Sequence, residues 1–489
     1  MAVNLNISDC ETRELRLNSI TGYDGTLQDM AKKGCEGCLK NRQRCFSTVS
    51  ASCNHTHAID QLAGLDSTVV IDHAPIGCSG AQIGYTVMKN RMGELPGKVI
   101  EHAKVFSTDI RESDTVFGAL DKLRDTIRAA YERHHPREIY VVTSCTSGII
   151  GEDVYSVVRE MEEELGVPIG YAAGEGMRSK IWATGFDAYC HAVAKVRLKT
   201  PEKKRNIINY VGFAARGRDY IDPLFAKLGF EVNYLTGSST IEDFAKATEA
   251  IATWGQCGAQ SSYLCGVLEK EYGIKYFQSH LPYGGIGFER FFRDVAKFIG
   301  QEELAEEILK EEREKYLGDL EKIRAQLKGK KAVLALGASF AYEYTRILGE
   351  LGVEVLHAVA YHYDPKLDNN SDEKVAAAAD AQELGLDVET SVNDAQQMET
   401  ALVVQKYKPD FIISRAHEAS PWAVRKGIPA LEVKIGLSVM GYRALVEIGY
   451  YIAKELRNAN FVRKLAARYE SPFTEKYEEL EPFTFYQEA

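Results

Sequence analysis

One pattern recurs along this chain: a short β-branched run, then Gly, Cys or another small residue, then a helical stretch. Ser67-Thr68-Val69-Val70-Ile71 leads into His73-Ala74-Pro75-Ile76-Gly77-Cys78-Ser79-Gly80. Glu138-Ile139-Tyr140-Val141-Val142 leads into Thr143-Ser144-Cys145-Thr146-Ser147-Gly148. Asn206 to Val211 runs into Gly212 and a helix expected over Tyr220 to Leu228. Lys331 to Leu336 is followed by Gly337-Ala338-Ser339, and Asp410 to Ser414 closes the series. Apolar strands alternating with amphipathic helices are βαβ units, whose parallel sheets are covered by helices on both faces. Ligands of such sheets gather at the carboxyl ends of the strands. Cys78 and Cys145 fall there, at the mouth of the next helix, where a helix N-terminus stabilises negative charge and is expected to lower a thiol pKa.

A length of 489 residues is enough for about three domains with cores that need no disulfide or metal staple. Hydrophobic content of 45% with 26% charged residues excludes disorder as the main theme. The net charge of −11, with no long basic run, argues against nucleic acid as a partner. No apolar stretch is long enough for a membrane span, and Met1 to Asn6 has neither the basic start nor the apolar core of a secretory signal. The expectation is a cytoplasmic protein, where structural disulfides are rare. Its 10 cysteines are then core residues, nucleophiles or metal ligands.

Cys53, Cys78 and Cys145 are far apart in sequence, each in a small-residue context, and any one of them alone reads as a buried thiol. Cys257 precedes an evident helix over Tyr263 to Tyr272, whereas Cys265 and Cys190 lie inside helices and read as core. Cys10, near the N-terminus, reads as incidental. Cys35-Glu36-Gly37-Cys38 with Cys45 and Cys53 offers a second metal option, weakened by its uneven spacing. Thr200 to Arg205 and the Glu-, Lys- and Leu-rich stretch Gln301 to Lys331 read as connectors, the latter as long solvated helices. From Tyr469 the chain reads as a surface extension packed on a partner or on its own body.

At these residues the chain resembles the nitrogenase component 1 α-subunit superfamily. His73-Ala74-Pro75-Ile76-Gly77-Cys78 is similar to its HGPxGC motif, and Cys145 to Asp153 resembles C-x-x-x-L/I-I-G-D-D. Cys53, Gly237-Ser238, the spacing from Cys257 to Tyr272-Gly273-Ile274 and the strand entry Leu327 to Lys331 also match, so the likeness runs from about Cys45 to Leu456. It implies an α/β protein of three Rossmann-like domains, parallel sheets flanked by helices with a cofactor cleft between them. The expected division is 1–44 as an N-terminal extension, then 45–200, 201–325 and 326–489. It also implies that Cys53, Cys78 and Cys145 are the α-side ligands of an 8Fe-7S P-cluster shared with a homologous β subunit in an α2β2 heterotetramer. Cys257 would bind a large iron–sulfur catalytic cofactor, iron-only among its options, and an ATP-dependent iron protein would deliver electrons. Thiolates suit such clusters.

Departures from the superfamily pattern fall on the substrate side. Its glutamine and histidine positions hold Trp182 and Phe186, and its cofactor-ligating histidine is replaced by Lys434, which has no lone pair when protonated. His362 and His417 follow expected strands and are substitute ligands or catalytic groups, with His362 ranked first. Gly337, Ala338 and Ser339 match a loop that packs on the cofactor, with Phe340 in place of an arginine. The position of a homocitrate-binding lysine falls on Glu418, or on His417 if the loop is slipped by one, and a carboxylate there opposes homocitrate by charge. Retained cysteines and an apolar pocket resemble methylthio-alkane reductases, which cleave C–S bonds of small organic sulfur substrates. That resemblance implies protons arriving by way of His417, Tyr361 or water. An alternative nitrogenase would need positioned proton donors that Trp182 and Phe186 remove. A cofactor-assembly scaffold is the reading from outside enzymology, and tetrapyrrole reductases, which lack a counterpart of Cys257, are a distant fourth.

Overall fold

The structure, a computed structural model, describes residues 4–8, 10, 16–46, 53–80, 104–179, 181–278, 281–365, 387–414, 419–434 and 436–486. Its strands are β1 (Tyr23–Thr26), β2 (Thr68–His73), β3 (Val105–Ser107), β4 (Glu138–Thr143), β5 (Ile169–Ala172), β6 (Ile207–Val211) and β7 (Glu231–Leu235). They continue with β8 (Ala252–Gly255), β9 (Lys275–Phe277), β10 (Lys331–Leu336), β11 (Glu354–Ala360), β12 (Glu389–Val392), β13 (Phe411–Ser414) and β14 (Ala430–Glu432). Each strand the sequence pattern foresaw is present, with ends shifted by a residue or two.

Three sheets result, in the spatial orders β3-β2-β4-β5, β7-β6-β8-β9 and β1-β12-β11-β10-β13-β14. Neighbours pair in parallel along β3-β2-β4-β5, along β7-β6-β8 and from β12 to β14; β1 joins the third sheet antiparallel, Tyr23 opposite Val392. Among the parallel strands of every sheet the order reverses once: between β2 and β4, between β6 and β8, and between β10 and β13. At such a switch point the loops leave in opposite directions and open a crevice.

The pleat explains how both faces are buried. On one face of the first sheet Val69, Ile71, Ile139, Val141 and Ile169 pack with Leu123, Ile127, Val157 and Met161 from the helices Leu120–His134 and Val154–Leu165. On the other, Val70, Tyr140, Val142 and Ala172 meet Ile59, Leu62, Ala188 and Val193 from the helices Asn54–Gly64 and Thr184–Arg197. Fully burying a side chain of this size stabilises by about 1.5–3 kcal/mol. Cys10 belongs to this second core at 4% exposure, so it is a packing residue rather than an incidental one.

By contacts the chain forms two compact units, Met1–Asn18 with Ser52–Tyr276, and Ser19–Ala51 with Phe277–Ala489. The first two sheets share the first unit because Thr184–Arg197 packs on both Asn54–Gly64 and Gly258–Tyr272. The helices Gly284–Ile299 and Glu302–Leu327, expected with the second Rossmann-like domain, instead pack on Gly441–Arg457 in the second unit. The expected 1–44 extension is likewise divided, since β1 is an edge strand of the third sheet. The C-terminal segment packs on its own unit: Tyr486 is buried and its hydroxyl donates to Glu399, which also pairs with Arg44.

Candidate functional site

The switch point of the first sheet carries the cysteines. β2 ends at His73, and the chain turns through Ala74 and Pro75 into the short helix Ile76–Gly80 that holds Cys78. β4 ends at Thr143, Ser144 caps the next helix reciprocally with Ser147, and Cys145 is its first residue. Cys53 is the N-cap of Asn54–Gly64, with its Sγ 3.3 Å from Thr56 Oγ1. A Cβ built on Gly176 would stand 3.3 Å from Cys145 Sγ, 3.8 Å from Cys53 Cβ and 3.2 Å from Asn54 Oδ1, so a side chain there would crowd both cysteines, and glycine lets them approach the turn closely. Cys53 and Cys78 are exposed and Cys145 is half-buried.

The third thiol shares their field. Burial pushes the Cys78 pKa up, and Asp72, Cys53 and Cys145 push it further. This reverses the lowering expected from a helix N-terminus, because Cys78 is the third residue of a five-residue helix and faces other acidic groups. Deprotonating Cys78 is opposed until positive charge enters, which is what a metal centre brings. Among the described residues no set of three or more His, Cys, Asp or Glu side chains closes tightly enough around a single ion.

Buried polar groups brace this rim. His55 donates from Nδ1 to the Thr143 carbonyl at 2.8 Å and pairs through Nε2 with Asp72 at 2.9 Å. Burial pulls the His55 pKa down, but the hydrogen bond and charge of Asp72 carry it above the usual value. His73 lies 3.0 Å from Glu152; burial is the larger effect there and lowers its pKa. Thr143 Oγ1 donates to Glu175 at 2.8 Å. Exposed apolar side chains surround the thiols: Ile76 in the helix of Cys78, Ile149 in that of Cys145, Met177 beside Gly176, and Val116 and Phe117 on the helix Asp114–Phe117 packed against Cys145–Ile150.

Cys257 occupies the switch point of the second sheet, as the N-cap of Gly258–Tyr272 directly beyond β8, and is 7% exposed. It is not lost in hydrocarbon, since the phenols of Tyr210 and Tyr276 lie within its electrostatic reach; burial and then neighbouring thiols push their pKa values up. Gln256 Oε1 accepts from Tyr210 OH at 2.7 Å and from the Phe213 amide at 2.9 Å. Phe213 begins an aromatic wall: its ring is 5.7 Å from Phe186, which is 6.1 Å from Trp182. His57 completes it at 4.5 Å from Trp182 and 5.0 Å from Phe186. The structure thus brings Trp182 and Phe186 together and adds His57, one turn into the helix that starts at Cys53. The i, i+4 spacing from Cys53 to His57 would have exposed it, had that helix been recognised in the sequence.

The remaining expected residues lie in the second unit. Gly337, half-buried, caps the helix Ala338–Glu350 at the end of β10, with nothing within 4 Å of a Cβ built on it. Ala338 and Ser339 are buried behind it, and the Phe340 ring is 5.5 Å from Tyr283. His362 is buried just beyond β11, between Tyr361, whose amide donates to Leu336, and Tyr363, which bridges to Ile20. The Lys434 ammonium sits 4.3 Å over the Tyr451 ring, a cation–π placement rather than a ligand's. His417 and Glu418 lie outside the described residues. Cys190 and Cys265 are buried in the core with raised pKa values, burial being the main cause. Cys38 and Cys45 are exposed in the second unit while Cys53 belongs to the first, and the Cys35 side chain lies outside the described set.

The architecture defines a class: a doubly wound α/β protein with cysteines just beyond the carboxyl ends of strands in two of its sheets. Within that class the chain belongs to the nitrogenase component 1 type oxidoreductase family, whose profile matches residues 53–459. It is 27% identical over 433 residues to the nitrogenase iron-molybdenum cofactor biosynthesis protein NifE of Methanococcus maripaludis, covering 87% of this chain and 84% of that protein. It is 33% identical over 303 residues to the nitrogenase molybdenum-iron protein alpha chain of Clostridium pasteurianum, covering 59% and 55%. A solved structure of nitrogenase Cp1 at pH 6.5 shares the fold, with a TM-score of 0.71 at 23% identity over 92% of this chain and 96% of that one. Among the described residues no helix is long and apolar enough to cross a membrane.

Proposed function

We propose that the chain is the catalytic α-type subunit of a nitrogenase-like reductase that cleaves C–S bonds of methylthio-alkanes. Its partners are a homologous β subunit in an α2β2 heterotetramer and an ATP-hydrolysing iron protein. The observation that carries this reading is the aromatic wall of Trp182, Phe186 and Phe213 beside the strand end of Cys257, in a chain that keeps its other thiols gathered. In the net reaction a thioether takes two electrons and two protons; the C–S bond breaks, and a C–H and an S–H bond form, releasing hydrocarbon and methanethiol. Iron–sulfur centres, when bound, supply the low-potential electrons, with Cys53, Cys78 and Cys145 holding one and Cys257 the other. The aromatic rings exclude water and accept an apolar methylthio group. His57, seated against two of those rings, is a titratable group placed to hand a proton to the departing sulfur.

A second reading, a scaffold that holds a cofactor during assembly, is favoured by the extended likeness to a cofactor biosynthesis protein and by Lys434 resting on Tyr451. One experiment separates them. The complex is purified anaerobically, its iron and heterometal are measured, and thioether and dinitrogen reduction are assayed side by side with an iron protein and ATP. Methanethiol release is the expected result. Ammonia without thioether cleavage makes the protein a nitrogenase; no turnover, with transfer of cofactor to an apo-enzyme, makes it a scaffold.

A further inference from the structure

Asn54 follows Cys53 as the first residue of its helix and is 1% exposed. Among the described residues neither its Oδ1 nor its Nδ2 has a hydrogen-bond partner. A Cβ built on Gly176 would stand 3.2 Å from Asn54 Oδ1 and 3.3 Å from Cys145 Sγ, so one end of the carboxamide and the thiol border the same point; with both amide ends unpaired, a turn about the terminal bond presents Nδ2 there instead. A buried amide with both ends unpaired is destabilising, and a structural asparagine would be paired to backbone. This one faces sulfur donors instead.

The geometry points to Asn54 as a hydrogen-bond donor to a sulfur of the centre held by Cys53 and Cys145, one that raises that centre's reduction potential. The inference rests on the cluster reading above. An N–H aimed at sulfur stabilises the more negative, reduced state over the oxidised one, and such bonds are among the means by which proteins set cluster potentials. The neighbouring charges act the other way: Asp72 opposes added electrons, and His55 is paired with Asp72 rather than aimed at the thiols. Asn54 is the neutral donor that offsets this without adding charge. It is a tuning group and not a ligand, so its removal leaves the iron in place.

The test uses the anaerobically purified complex with Asn54→Leu and Asn54→Asp, which keep the side-chain shape and remove the donor. Iron per chain, thermal melting and an EPR-monitored redox titration are read for each. Both variants are expected to retain parental iron and to shift the midpoint potential of the Cys53-side centre to more negative values, Asn54→Asp further because it adds charge. Asn54→Asp carries the test alone if Asn54→Leu fails to fold. An unchanged midpoint in a fully loaded variant overturns the inference. Loss of iron or folding in both variants also overturns it, by making Asn54 a packing residue. Failure of the underlying cluster reading is visible separately, as an iron content and spectrum that do not respond to Cys145→Ala.

Discussion

Cys257 caps its helix through the backbone alone: its carbonyl accepts from the Ser261 amide at 2.9 Å and hydroxyl at 2.6 Å, and its side chain makes no capping bond. Cys257→Ala should therefore leave the helix cap in place while abolishing thioether turnover. The EPR signal of the Cys53-side centre should persist, and its loss together with turnover would mean that the two sites are mislocated. A different residue sets a pH dependence. Glu350 accepts from the amides of Gly285 and Ile286 at 3.1 and 3.2 Å, yet burial pushes its pKa up to about 7. The folded form then keeps a proton that the unfolded chain loses near its ordinary carboxyl value. Stability from this group is present at low pH, falls as pH rises toward about 7, and levels off above it. The loss is on the order of 3 kcal/mol. Glu350→Gln, neutral at every pH, should flatten that slope in urea unfolding at about pH 5 and about pH 8; an unaltered slope would place the titrating group elsewhere.

The helix Asn54–Gly64 links the thiol rim to the aromatic wall, and its position depends on one glycine. A Cβ on Gly185 would collide with the Asn54 carbonyl and stand 2.9 Å from Ala58 N and His57 Cβ. Gly185→Ala must part the two helices, which overpacking data put at about 1–3 kcal/mol. The expected outcome is a lower melting temperature with a raised KM for thioether, because His57 moves off Trp182 and Phe186; an unchanged KM would detach that wall from substrate. This contact shows where reading the sequence stops. The β-branched runs made β2, β4, β6, β10 and β13 legible, and the small residues after them marked the switch points, since both signals are local. Gly185 inside Thr184–Arg197 gives no such signal, because its reason is a helix more than a hundred residues away. The same holds for Asn54 and His57, whose roles depend on what faces them. The helix Glu302–Leu327 was legible as a helix but not as part of the second unit, since charge pattern marks a solvated face and not the partner of the buried one.

As a molecule the chain presents its thiols at a surface that water does not favour. Phe117 is 88% exposed and Ile149 70%, with Ile76, Val116 and Met177 nearby, and all of them adjoin the helices and turns that carry Cys78, Cys145 and Gly176. Scattered apolar residues are ordinary on a surface, but a group of five around exposed cysteines is the pattern of a binding face. On the proposed reading, a partner seated on this patch would supply further ligands to a centre on these thiols and bury the apolar side chains together. Phe117→Asp combined with Ile149→Asp should leave the chain's own melting temperature within about 0.5 kcal/mol equivalent, since both side chains are already solvated. Light scattering should then show loss of the heterotetramer, and iron per chain should fall by about half or more as desolvating the new carboxylates opposes docking. An intact assembly with full iron would mean that the partner docks on another face and that the three cysteines complete their centre within this chain.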